Sequence, residues 1–254
     1  MTWRALLLLA VGLATIIVVA LADPIPQDPL YHQFSDRRSF AGIPNFLDVM
    51  SNLPFLFVGA WGLVFVSRHG ATVDPRMKIA WLVFFAGSAL TSFGSAYYHL
   101  QPGNEALVWD RLPMTIGFMS LVAIVIAEYG AARIGAAMLL PLLLIGFASV
   151  TYWSHTESLG AGDLRPYAVV QFLPLLLIPI TLLVFPSRSD LGRYIWMMFG
   201  FYLAAKLCEI FDYEIYAAGE IISGHSIKHI VASLAPASLL YGLAQRHRSG
   251  HRYG

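Results

Sequence analysis

Polar residues in this chain come in short clusters, and between them run unbroken apolar stretches. Eight stretches, at residues 2–22, 46–66, 79–100, 112–127, 134–153, 167–185, 194–211 and 226–243, approach or reach the ~20 residues a helix needs to cross a bilayer. None alternates with the period of two that marks the strands of a membrane barrel. The pattern predicts an all-α membrane protein. Connections between the stretches are short and leave no room for a separate soluble domain. Pro54, Pro113, Pro141, Pro174, Pro179 and Pro236 fall inside the stretches, where neighbouring helices satisfy the carbonyls that proline frees.

The first stretch stands apart. Arg4 precedes it and Ala20-Leu21-Ala22 ends it before Asp23, so it reads either as a signal peptide with a small-residue cleavage site or as an uncleaved anchor. The predicted organisation is an N-terminal apolar segment over 1–22, a seven-helix transmembrane bundle over 23–245 and a basic tail over 246–254.

Composition agrees. Of the 254 residues, 57% are hydrophobic and 12% charged, about half the charged fraction of a soluble domain, and mean hydropathy is +0.65. A net charge of +1 argues against a nucleic-acid partner, which needs a basic face. One cysteine, Cys208, allows no internal disulfide; a small buried apolar role suits it better than that of a nucleophile.

Charge placement orients the helices. With the N-terminus in the cytoplasm and each stretch crossing once, the cytoplasmic side collects ten basic residues: Arg4, Arg68, Arg76, Lys78, Arg133, Arg188, Arg193, Arg246, Arg248 and Arg252. The other side collects four, Arg37, Arg38, Arg111 and Arg165. The positive-inside rule favours this arrangement, and short loops without long tails suit a bacterial inner membrane. Trp109, Trp153 and Tyr194, near the ends of stretches, fit an interfacial aromatic belt.

Ionisable residues within spans are costly and point to function. His32, His69, His155, His247 and His251 fall in loops or the tail. His99 ends the third stretch, and His225 and His229 open the eighth. The topology carries all three to the same side at similar depth. Two histidines four apart share a helix face, about 6 Å apart along the axis, and a third from another helix completes a set typical of catalytic zinc, with one position left for water. Ser95 lies one turn before His99 on the same face, and Asp110 opens the fourth stretch on the same side. A carboxylate there has blander roles too, as a partner of Arg111 or a charge at a helix N-terminus. Lys206, Glu209 and Asp212 recur at three-residue spacing, as in an ion-pair ladder; Lys228 points away from the histidines that flank it and suits an ion pair.

The ordered set Ser95-x3-His99, Asp110 and His225-x3-His229, together with Asn45-Phe46-Leu47-Asp48-Val49-Met50-Ser51-Asn52, resembles the alkaline ceramidase family, part of a wider group of seven-helix membrane hydrolases that includes the adiponectin-type receptors. The resemblance spans residues 36–243. It implies a zinc-dependent hydrolase of a ceramide-like lipid amide, with His99, His225 and His229 as zinc ligands, Ser95 as the hydroxyl beside the metal and Asp110 as the carboxylate that handles the proton of water. It also implies a calcium site, for which Asp36, Asn45 and Asp48 are the matching residues. A receptor or sensor with a structural metal is the alternative on the same scaffold.

Overall fold

The computed structural model describes residues 2–186 and 189–250. Among them the chain forms ten α-helices: α1 (Trp3–Leu21), α2 (Phe46–Met50), α3 (Leu53–Arg68), α4 (Lys78–Leu100), α5 (Asn104–Tyr129), α6 (Ala132–Ser158), α7 (Arg165–Val184), α8 (Gly192–Ile210), α9 (Asp212–Ala217) and α10 (Gly224–Arg248). No sheet is present among these residues, only an isolated bridge between Phe40 and Ile43.

Among the described residues, seven helical segments are long and apolar enough to cross a membrane: Trp3–Leu21, Phe46–Arg68, Pro75–Leu100, Asn104–Tyr129, Ala132–Ser158, Arg165–Val184 and Gly224–Arg248. α8 packs along α10 and carries three charged residues, Arg193, Lys206 and Glu209, within its 19 residues. The protein is a multi-pass, all-α membrane bundle with an extra N-terminal helix. Helices α3 to α6 pack in sequence, α10 contacts α3 and α8, and α7 lies against α5, α6 and α1. α1 is the most exposed; Arg165 at the start of α7 donates to the carbonyls of Ala20 and Ala22.

Several boundaries differ from the apolar pattern. The 46–66 stretch is two helices, broken at Ser51 and Asn52, with Pro54 in the first turn of α3, where its missing N–H costs nothing. α5 begins at Asn104, so Asp110 sits nearly two turns inside it, beyond the reach of the helix-end dipole. α6 runs on to Ser158 and takes His155 into its last turn. α10 extends to Arg248, and Arg246, assigned above to the tail, is buried against Glu128 and Asp190. Arg188, His251 and Arg252 lie outside the described residues.

Two apolar clusters hold the bundle. The larger, with Trp81, Phe85, Ile124, Leu191, Ile195, Leu239 and Leu243, fills the half away from His99. A smaller one, with Phe34, Tyr98, Leu107, Val150, Trp153 and Tyr167, lies at the histidine end. Trp153 and Tyr194 are therefore interior rather than part of an interfacial belt, whereas Trp109 is exposed. Small residues let membrane helices approach closely: a side chain at Gly94 of α4 would strike the Trp109 carbonyl of α5. That contact draws α4 and α5 together one residue from Ser95 and one from Asp110.

Candidate metal centre

His99 comes from the last turn of α4, and His225 and His229 from the first turns of α10. All three are buried. Each pair of rings has centroids 4.9 Å apart, and the ligand nitrogens of the three lie within 4.8 Å of one another. Nε2 of His99 and Nε2 of His225 are 3.3 Å apart. Two imidazole nitrogens on one tetrahedral zinc ion lie roughly 3.4 Å apart, given bonds of about 2.0–2.1 Å. The donor set therefore fits a metal, and the buried triad could bind one. Among the described residues it is the one group of three or more histidine, cysteine or acidic side chains that converges in this way.

Contacts behind the rings set their orientation. Ser51 Oγ donates to the Asp48 carbonyl at 3.1 Å and lies 2.8 Å from His229 Nδ1. With its proton committed to Asp48, the hydroxyl accepts from Nδ1–H, which leaves His229 Nε2 with a free lone pair. Such outer contacts fix the tautomer of a ligand and typically contribute 10–100-fold in metal affinity. Ser51→Ala should weaken metal binding by about that factor, read by competition with a chromogenic chelator; unchanged affinity would assign the tautomer to another contact. The break between α2 and α3 places this serine: a continuous helix would keep Ser51 within its own turn.

The start of α10 is held with similar economy. Ser223 caps the helix, accepting from the Ser226 N–H at 3.0 Å. Asp48, fully buried, accepts from Ser226 Oγ at 2.5 Å and from Ser223 Oγ at 3.2 Å. The N–H of His225 donates to Asp212 Oδ1 at 2.7 Å, and Ser35 donates to Asp212 Oδ2 from both N and Oγ. Asp212 thus ties α9, α10 and the 23–45 segment together, instead of extending a ladder with Lys206 and Glu209. Those two do pair, at 2.5 Å, and Glu209 also takes Lys228 at 2.7 Å.

The 23–45 segment covers the site. The Phe34 ring lies 4.5 Å from the ring of His99 and 4.9 Å from that of His225. His32 bridges Tyr98 and Asn104, each at 2.9 Å. An apolar lid over three buried imidazoles excludes water and so strengthens electrostatic interactions beneath it.

Ser95 is buried one turn from His99, and Asp110 is half-buried on the neighbouring helix. Asp110 forms no ion pair with Arg111 among the described residues, because adjacent residues on a helix point about 100° apart; the guanidinium turns toward Gln27 and Trp153. The three residues matched to calcium have other partners. Asp36 is paired with Arg38 at 2.7 and 2.8 Å, and that guanidinium holds its carboxyl below the usual carboxylate range. Asn45, in the left-handed region at φ 45°, donates from Nδ2 to the His99 carbonyl at 2.8 Å, and Asp48 is held by the two serines through Oδ1, while its Oδ2 is buried without a partner among the described residues. Ser51 and Phe34 are members of the site that sequence reasoning left without a role, and Asp212 is one that it placed in an ion-pair ladder instead. Only Ser51 carried a signal, as part of the 45–52 stretch. Neither a model of any known family nor any curated protein matches the chain.

Proposed function

We propose that this protein is a membrane-embedded zinc-dependent hydrolase that cleaves the amide bond of a ceramide-like lipid. The observation that carries the reading is the convergence of three buried imidazoles at the end of the bundle that also carries Ser95, one turn from His99, and Asp110. His99, His225 and His229 would hold the ion. Zinc, when bound, supplies a Lewis acid and brings the pKa of a water molecule to about 7.

The protein's own groups do the rest. Asp110 accepts the proton of the attacking water as it adds to the amide carbon, then passes it to the nitrogen as the carbon–nitrogen bond breaks, releasing a fatty acid and an amine. Ser95 supplies a hydroxyl on the same side of the bundle as Asp110. That hydroxyl can turn toward the acyl oxygen, where negative charge develops. Phe34 keeps bulk water from the centre. A lipid suits the location, since an amide near the headgroup level meets the site while the chains stay among the helices. The excess of basic residues at the other end supports placing the site on the outer face, periplasmic in a bacterial inner membrane. Calcium is not part of this reading.

The test is release of fatty acid from ceramide-like amides by purified protein, with Ser95→Ala beside it. Loss of one oxyanion donor costs about 10²–10³ in kcat; KM should change little, since the interaction forms mainly in the transition state. A pure KM effect would make Ser95 a substrate-binding group. Absence of turnover in zinc-replete protein would favour the receptor-like alternative.

A further inference from the structure

Beside the histidine centre, the smaller apolar cluster contains two buried donors with no acceptor among the described residues: Arg111 Nη1 and Trp153 Nε1. Arg111 is 6% exposed and Trp153 0%. The guanidinium lies 4.1 Å from the Trp153 ring, 4.7 Å from Tyr167 and 5.9 Å from Tyr31. Its Nη2 donates to Gln27 Oε1 at 2.6 Å. No carboxylate pairs with it among the described residues. A buried cation normally has such a partner, because desolvation is costly; three aromatic faces and one neutral amide oxygen offset part of that cost.

The surroundings favour an anion. Tyr31, which the guanidinium overlies, is also in the electrostatic field of Asp110, Glu209 and Lys228. Lys206 and Lys228 share the single carboxylate of Glu209.

We propose that Arg111, with Trp153 beside it, forms a subsite for the carboxylate of a lipid next to the histidine centre. A guanidinium offers parallel N–H groups in a fork that matches two carboxylate oxygens. Gln27 shows an oxygen acceptor already seated on one arm. Leu107, Leu112 and Val150 pack in the same apolar cluster. The source of the carboxylate rests on the hydrolase reading: it belongs either to the released fatty acid or to the headgroup of an N-acyl amino acid. Binding itself does not depend on turnover, so the two ideas fail separately.

The experiment measures binding of palmitate, its alcohol hexadecanol, N-palmitoylglycine and N-palmitoylethanolamine to the full-length, metal-replete protein in detergent. Wild type should bind at least one carboxylate on the order of tenfold more tightly than its neutral counterpart, as a charge-assisted pair predicts. Preference for palmitate alone identifies the product, and preference for N-palmitoylglycine identifies a headgroup. R111Q should abolish the preference and R111K retain part of it. Equal binding of carboxylate and neutral lipid by wild type overturns the proposal without any variant. So does a preference that survives in R111Q and vanishes in the H225A/H229A variant, which would assign the carboxylate to the histidine centre.

Discussion

Asp110→Asn should reduce turnover about a thousandfold, the middle of the range for a positioned general acid–base group, and leave metal content unchanged. Asparagine conserves the size of the side chain but cannot accept a proton from water. Two other carboxylates of the bundle are placed differently. Glu209 is clamped between Lys206 and Lys228, and Asp48 is fully buried beneath the serines of α10. Single-turnover rates with a ceramide-like amide, alongside metal analysis of the same samples, check this. An active Asp110→Asn protein would move the proton-accepting role to another group.

His99→Ala should remove both metal and activity. The remaining pair on α10 supplies two imidazoles, one short of the set that leaves a single open position on zinc. His99 is also the only link of the centre to α4, while Ser51 and Asp212 continue to hold His229 and His225. The protein should still insert and run as a folded species on size exclusion in detergent, since the larger apolar cluster lies in the other half of the bundle. A His99→Ala protein with full metal content would strike His99 from the ligand set.

What the sequence could reveal follows from the range of each interaction. Apolar stretches are continuous along the chain, so the helices and the extra N-terminal segment were legible. Their ends were not: polar helical turns such as Trp153–Ser158 carry no hydropathy signal, yet they continue α6. The break at Ser51 and Asn52 was hidden inside an apolar run. His99, His225 and His229 stood out because histidine is rare in spans, and a spacing of four shares a face. The residues that orient them did not. Ser51 meets His229 across 178 positions and Ser35 meets Asp212 across 177, contacts that only the packed bundle creates. Arg111 misled for a local reason: its neighbour in the chain is Asp110, but neighbours on a helix face different ways.

Elemental analysis of the detergent-purified protein, purified without chelators, bears most directly on the central claim, with the H225A/H229A variant beside it. The account predicts about one zinc per chain in wild type, as a single three-histidine site requires, and close to none in the variant. Wild type without metal, or a variant that keeps it, would contradict a zinc centre built on these three histidines.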